Sequence, residues 1–283
     1  MKRRIESGKI RMIVKGEIKM TDKTVRHLLG LSGGKDSAAL AIYLRDKVPE
    51  MEYFFADTGA ELPVTLEFIE ILEDYLDKKI YRLNTHRGFD FFLKLHDNFL
   101  PSVRSRWCTI NLKLTPFEKF VGNDQVITYI AIRADESQRT GYISTKSNIK
   151  ACYPFKEDGL VKEDILGILE EAGIGLPNYY QWRSRSGCYF CFFQRKEEWL
   201  GLYENHPDLF EKARQYEKFN EETGERYTWV QGESLEELIA RASDIRRRSE
   251  LRKNRKKAKN LLEAILMEED DDPEEQACII CSL

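Results

Sequence analysis

Two short stretches of this chain have residue types and spacings that could do chemistry. The first is Ser32-Gly33-Gly34-Lys35-Asp36-Ser37. Its adjacent glycines let backbone N–H groups approach an anion without a Cβ in the way. Lys35 adds a full positive charge, and Ser32 and Ser37 add hydroxyl donors. A helix starting at this point would add its unpaired N–H groups and the positive end of its dipole. Together these features suit the phosphates of a nucleotide. The string is not a Walker A loop, because no Gly-Lys-Ser/Thr follows a four-residue spacer. The second stretch is Cys188-Tyr189-Phe190-Cys191, flanked by Gly187 and by Arg183, Arg185 and Arg195. Two thiolates at CxxC spacing can chelate one metal ion or one edge of a cluster. One such pair is incomplete, so further ligands must come from elsewhere in the chain.

The elements that must position these residues follow from hydrophobic patterning. Residues 27–31 read as a short buried strand, 32–37 as a turn, and 38–45 as a helix of good helix formers. Residues 51–59 read as a second apolar strand ending in a polar turn. Residues 62–79 show helical spacing through Leu66, Ile69, Ile71, Leu72, Tyr75 and Leu76. Residues 79–84 and 125–133 read as further strands. Strand–turn–helix units in series predict an α/β fold with a doubly wound parallel sheet and an active site at the carboxyl ends of the strands. The chain beyond about residue 150 reads as helix and loop, giving a helical, cysteine-containing C-terminal part. The expected division is a basic N-terminal arm (1–24), a main domain (25–200), a charged helical region (201–262) and an acidic tail (263–283).

Composition bounds the alternatives. The 283 residues are 42% hydrophobic, enough to bury a core. The net charge is only -3, yet 33% of residues are charged, so patches of both signs must be read separately. No run of about eighteen apolar residues occurs, which excludes a membrane-spanning helix. The first ten residues, MKRRIESGKI, lack the apolar region of a secretory signal, so a cytoplasmic protein is expected. Six cysteines in such a chain point to reduced thiols serving metal or redox chemistry rather than disulfides.

The string LSGGKDS resembles the PP-loop of ATP pyrophosphatases, the group that includes phosphoadenylyl-sulfate (PAPS) reductases and tRNA-thiolating enzymes. Phe55-Ala56-Asp57-Thr58-Gly59, with Pro63 and Thr65, resembles the DTG segment of the PAPS reductase branch. Arg133-Ala134-Asp135-Glu136-Ser137, followed by Arg139, resembles that branch's R-x-x-ES-x-R element. Cys152-Tyr153-Pro154-Phe155, with Glu163-Asp164-Ile165, is similar to its PL-x-x-W…DV region, without the Trp. The matching strings run from about residue 27 to about 195. The resemblance implies an adenine nucleotide alpha hydrolase-like fold and cleavage of ATP between its α and β phosphates, usually with Mg²⁺. It implies nucleotide binding by Leu31, Ser32, Gly33, Gly34, Lys35, Asp36, Ser37, Asp57, Thr58 and Gly59. Lys35, Asp36, Arg133 and Arg139 are the implied catalytic residues, with Asp57 serving Mg²⁺ or the ribose.

The surroundings of Cys108, RSRWCTINLKLTP, resemble the first cysteine site of iron–sulfur adenylyl-sulfate reductases, whose second site is a CxxC. Those relatives carry a cysteine pair where this chain has Trp107-Cys108. The expected metal ligands are therefore Cys108, Cys152, Cys188 and Cys191, around a [4Fe–4S] cluster. Three other readings stand beside it: a cluster with one iron left open, a zinc site, and a metal-free redox pair or structural cysteines. Cys278 and Cys281 form a second CxxC, in a tail without the Glu-Cys-Gly-x-His setting of the reductases. Such a dithiol can accept persulfide sulfur or resolve a disulfide, or be a tail without a role.

A dense basic run, Arg246, Arg247, Arg248, Arg252, Lys253, Arg255, Lys256, Lys257 and Lys259, has nucleic-acid phosphates as natural partners. Tyr180, Trp182 and Trp199 could stack on bases. The plainer reading is a solvated helix face answered by the acidic run at 267–275. His27, His86, His96 and His206 share no ligand spacing. A PAPS-reductase-like chain with a CxxC, basic patches and no reductase tail resembles the ATP pyrophosphatase subunit of bacterial DNA phosphorothioation systems. That resemblance implies a sulfurtransferase acting with DNA, with a cysteine desulfurase as sulfur donor, in a homo-oligomer or multi-subunit complex. The alternative is an assimilatory PAPS or adenylyl-sulfate reductase, and a third is a nucleotide sensor on a degenerate loop.

Overall fold

The computed structural model describes residues 25–139, 141, 144–219 and 224–257. Five parallel strands, β1 (Arg26–Gly30), β2 (Glu52–Ala56), β3 (Ile80–Leu83), β4 (Val126–Tyr129) and β5 (Ile149–Cys152), form one sheet in the order β3-β2-β1-β4-β5. The helices are α1 (Lys35–Leu44), α2 (Pro63–Leu76), α3 (Phe89–Leu95), α4 (Trp107–Thr109), α5 (Thr115–Val121), α6 (Pro154–Glu157), α7 (Lys162–Glu171), α8 (Lys196–Asn205), α9 (Pro207–Gln215), α10 (Leu235–Ala240) and α11 (Ala242–Lys257). A π-helical stretch, Ile110–Leu114, joins α4 to α5, and β6 (Lys218–Phe219) pairs antiparallel with β7 (Arg226–Tyr227).

Alternation along the strands explains the layers. Leu29, Tyr53, Phe55 and Tyr129 face α1, α2 and α7, while Leu28, Phe54 and Val126 face α5 on the opposite side. A parallel strand buried on both faces reads as a continuous apolar run, which is why Leu28-Leu29 and Phe54-Phe55 are so visible. Winding runs outward from β1 to β3, then crosses the sheet and resumes at β4 beside β1. The strand order therefore reverses between β1 and β4, where such sheets open a crevice at their carboxyl ends. This is the doubly wound arrangement expected from the sequence. The apolar face of α2 is Phe68, Ile69, Leu72 and Leu76; Pro63 opens the helix and Asp77, at φ 50, closes it. That left-handed residue ends the helix before the periodicity-based limit at 79. β5 was hidden in the sequence because its four residues, Ile-Lys-Ala-Cys, carry a single buried aliphatic and stop at Tyr153-Pro154.

A second core is aromatic and is built from residues on both sides of 200. Leu62, Phe89, Trp107, Tyr179, Phe190, Trp199, Trp229 and Leu238 pack in one cluster. Phe190 stacks on Trp229 with centroids 5.1 Å apart and lies 4.3 Å from Phe89. The middle of the CxxC is thus an anchor in this core, and truncating Phe190 to Ala would cost about 3–5 kcal/mol. Ser234 caps α10, its Oγ accepting from Glu237 N at 3.2 Å while Glu237 accepts from Ser234 N at 2.8 Å. Among the described residues no helix is long and apolar enough to cross a membrane. The N-terminal arm, Lys259, the acidic tail, Cys278 and Cys281 lie outside the described residues, as do the side chains of Lys253, Arg255, Lys256 and Lys257.

Candidate functional site

The glycine loop sits at the strand-order reversal. Leu31 N donates to Phe54 O at 2.7 Å, fixing the end of β1 against β2. Ser32 N donates to Ser37 Oγ at 3.1 Å, and Ser37 Oγ donates to Gly34 O at 3.1 Å, so the loop closes on the first turn of α1. Both glycines sit where a Cβ would meet a neighbouring side chain. Gly33 has φ +72, and a Cβ there would lie 2.4 Å from Thr65 Cγ2. A Cβ on Gly34 would lie 2.7 Å from Ser186 Oγ. No side chain of the loop caps α1. Instead Lys35 N donates to Tyr180 Oη at 2.9 Å, and Tyr179 Oη donates to Gly33 O at 2.7 Å.

Charge is concentrated at the start of α1. Asp36 lies between Lys35 Nζ at 3.0 Å and Arg133 Nη1 at 2.8 Å. Arg133, from the loop after β4, also holds Asp135 at 2.9 Å. Burial opposes the charge of Arg133, but Asp135 and Asp36 more than offset it, and its pKa is raised. Arg139 pairs with Glu136 at 2.8 Å, so it closes the 133–139 loop on itself instead of reaching Asp36. Lys35 and Arg133, which come from opposite sides of the switch point, thus both contact Asp36. The pairs are partly shielded from water, which makes them stronger than surface pairs.

The CxxC segment is fastened to the turn after β2. Asp57 Oδ1 accepts from Gly59 N at 3.0 Å, shaping the turn. Glu61 and Cys188 form an antiparallel bridge, and Tyr189 N donates to Ala60 O at 2.8 Å. Thr58 Oγ1 donates to Glu61 Oε1 at 2.5 Å and lies 3.2 Å from Cys188 Sγ. Buried Arg183 donates to the carbonyls of Cys188 at 2.7 Å and Gly187 at 3.2 Å. Ser186 Oγ is 3.2 Å from Ser32 Oγ, so the cysteine-bearing segment touches the phosphate loop directly. Between them lies a pocket lined by Leu31, Ser32, Glu61, Lys113, Ser186 and Gly187.

The cysteines divide into two environments. Cys108 and Cys188 pack against the aromatic core, and Cys191 N donates to Cys188 O at 3.1 Å. Cys152 packs against the other core, with Sγ 3.7 Å from Glu157 Oε1. Burial and the neighbouring Glu61 push the Cys188 thiol up, with Lys113 opposing; burial and Glu157 push Cys152 up to about 12. Burial also raises Glu61, against the opposing hydrogen bond from Thr58. Among the described residues no three Cys, His, Asp or Glu converge in an arrangement that could hold a metal ion. This arrangement therefore does not fit a four-thiolate centre, because β5 carries Cys152 into a different core from Cys108 and Cys188.

Several site residues had no signal in the sequence. Glu61, Lys113, Ser186 and Tyr179 are isolated polar residues made meaningful only by the fold. Tyr180 faces Lys35, its ring centroid 5.3 Å from Nζ. Trp199, expected to stack on bases, is fully buried in the aromatic core and has no face to offer. On α11, Arg246 pairs with Glu204 and Arg252 with Glu197, both on α8, so part of the basic run ties two helices together.

Residues 26–153 match the model of the phosphoadenosine phosphosulfate reductase domain. The protein MJ0066 of Methanocaldococcus jannaschii is 30% identical over 212 residues, which cover 70% of this chain and 43% of that protein. The chain spans less than half the length of the two relatives it matches in that archaeon. A PAPS reductase from Candida auris, solved as a phosphate complex, has 14% identity and a TM-score of 0.46, covering 58% of this chain and 82% of its own. The U34-tRNA thiolase NcsA of Methanococcus maripaludis, solved with its [4Fe–4S] cluster, has 13% identity and a TM-score of 0.39, covering 69% and 71%. Residues 26–153, which contain the glycine loop, the Asp57 turn and Arg133, thus form a phosphoadenosine phosphosulfate reductase-like domain.

Proposed function

We propose that the chain is an ATP pyrophosphatase that adenylates a substrate oxygen for sulfur transfer, with a DNA backbone phosphate as acceptor. One observation carries the reading: the CxxC segment is bonded to both the Asp57 turn and the phosphate loop, through the Glu61–Cys188 bridge and the Ser186–Ser32 contact. A thiol-bearing segment against the proposed triphosphate cradle suits a reaction in which an activated oxygen is exchanged for sulfur.

In the first step the acceptor oxygen attacks the α-phosphorus of ATP. An O–P bond forms, the bridge to the β-phosphate breaks, and pyrophosphate leaves with the electron pair. The loop N–H groups, Lys35, Ser32 and Ser37 bind the phosphates, and Arg133 neutralises charge as it develops. Asp57 is the carboxylate for Mg²⁺ or the ribose, since Asp36 is already held by two cations. In the second step the terminal sulfur of a persulfide delivered by a cysteine desulfurase attacks the activated phosphorus, AMP leaves with the electron pair, and a thiol reductant then cleaves the remaining S–S bond, leaving the phosphorothioate and a disulfide. The basic face of α11 supplies attraction for nucleic acid. A pyrophosphate-release assay with Lys35→Ala and Asp36→Ala tests the first step. Loss of release in both is expected, and undiminished release in both would reject the loop's role. Phosphorothioate linkages detected by mass spectrometry in DNA incubated with the protein and a desulfurase test the second.

The domain match over residues 26–153 favours a second reading, reduction of PAPS or adenylyl-sulfate. Release of sulfite from either compound by the purified protein with a thiol reductant would select it.

A further inference from the structure

We propose that Tyr180 is a latch on the phosphate loop: its phenol oxygen occupies the Lys35 amide until a nucleotide phosphate displaces it, and the displacement moves the segment that carries Cys188. This inference rests on the nucleotide-binding reading above.

The first amides of a helix need an acceptor from outside the helix. At α1 the acceptor for Lys35 N is a neutral phenol contributed by a residue 145 positions away, at 2.9 Å. The ring of the same residue lies over Lys35 Nζ at 5.3 Å. Tyr180 therefore holds two groups assigned above to a phosphate, a backbone N–H and the lysine charge. A phosphate oxygen is the better partner for both, because an ionised acceptor makes hydrogen bonds about twice as strong as a neutral one. Tyr179 has the opposite role. Its hydroxyl donates to Gly33 O at 2.7 Å, and its side chain is buried, so it braces the loop from behind. Tyr180 is only half-buried and is the member of the pair that can leave.

Both tyrosines lie on one 3-10 turn, Asn178–Gln181. The Tyr179 carbonyl accepts from Trp182 N at 3.1 Å and Arg183 N at 2.8 Å. Arg183 in turn grips the Gly187 and Cys188 carbonyls. Hydrogen bonds joined by the Tyr179–Tyr180 backbone and the Arg183 side chain therefore lead from the Lys35 amide to the CxxC. Occupancy of the loop by nucleotide would loosen the turn and, through Arg183, reposition Cys188.

The test is titration calorimetry of α,β-methylene-ATP with Mg²⁺ into the full chain, its Tyr180→Phe variant and its Tyr179→Phe variant. Removing the Tyr180 hydroxyl leaves the Lys35 amide unpaired only in the free protein, so affinity should rise about two- to tenfold. Removing the Tyr179 hydroxyl weakens the brace, so affinity should fall. Hydrogen exchange across residues 178–191 should increase on ligand saturation of the unmodified chain and already be high in Tyr180→Phe. Equal or weaker binding by Tyr180→Phe would overturn the latch while leaving nucleotide binding intact. Absence of binding by all three proteins would overturn the nucleotide reading itself, and the latch with it.

Discussion

Arg133 Nη1 donates to Asp36 Oδ1 at 2.8 Å across 97 residues of chain, closing the gap between β1 and β4 at the point where strand order reverses. With Lys35 on its other side, Asp36 keeps two cations pointed at one small volume. The cations are thereby in place before any substrate arrives, so the site need not reorganise when charge develops. Arg133→Met should lower pyrophosphate release about 10²–10³-fold, the usual cost of removing one positioned donor to a transition-state charge. Arg139→Met breaks the Glu136 pair, which does not involve Asp36, and should cost markedly less. Equal losses in the two variants, measured as kcat/KM for ATP, would refute this difference in role.

Gly33 shows how tightly the cradle is packed. An alanine there must adopt φ +72 and place its Cβ 2.4 Å from Thr65 Cγ2. The left-handed backbone alone costs about 1–2 kcal/mol. Gly33→Ala should therefore lower stability by more than that and weaken ATP binding. Thr65→Ser deletes the offending methyl, so the double variant should recover the steric part but not the backbone part. Urea unfolding of the two single variants and the double variant checks this: simple additivity would mean that the contact with Thr65 contributes nothing.

Cys152 makes a pH-dependent prediction. Its thiol is held up at about 12, first by burial and then by Glu157. A folded pKa raised above the ordinary thiol value contributes stability that is fully present below about pH 8.5 and is lost as pH rises through about 12. Near pH 8 the group is a neutral thiol, and Cys152 should resist alkylation by iodoacetamide in the folded protein. Glu157→Gln removes a negative neighbour, lowers the thiol pKa and should speed alkylation at that pH. Peptide mapping by mass spectrometry follows the rate, and a slower rate in Glu157→Gln would contradict the sign. The same separation predicts that any iron or zinc carried by the protein is unchanged in Cys152→Ser.

The glycine loop and its flanking strand and helix are legible in the sequence because each rests on local signals. Buried strands are continuous apolar runs, and the loop residues are contiguous. Tyr180 is not legible as a partner of Lys35, because nothing local distinguishes it from any tyrosine in a loop. The same holds for Glu61, whose meaning comes from the strand-like bridge to Cys188. The CxxC is read from its spacing and Cys108 from a resemblance, but Cys152 joins the expected grouping only by a count of thiols in the folded region. The count carries no information about which core each thiol packs against, and β5 was too short to announce itself. Trp199 was misread for a similar reason: an aromatic near arginines looks the same in sequence whether it faces solvent or is fully buried.

Whether α11 meets nucleic acid can be decided residue by residue. Arg246 pairs with Glu204 and Arg252 with Glu197, and both pairs hold α11 against α8, where Ile245 and Ser249 are buried. Arg247 points elsewhere: its side chain is 69% exposed and, among the described residues, it pairs only loosely with Asp244 at 3.9 Å. Charge reversal should therefore separate two effects. Arg246→Glu faces Glu204 with a like charge and should lower stability by up to about 1 kcal/mol, as for an exposed pair. Arg247→Glu should leave stability nearly unchanged but weaken binding to duplex DNA. It should also reduce the slope of log affinity against log salt by about 0.9, the contribution of one phosphate contact. Fluorescence anisotropy with duplex DNA at several salt concentrations gives that slope. If the slope is the same for Arg247→Glu and the unmodified chain, this face of α11 makes no phosphate contact, and the basic run is a solvated surface pinned to α8.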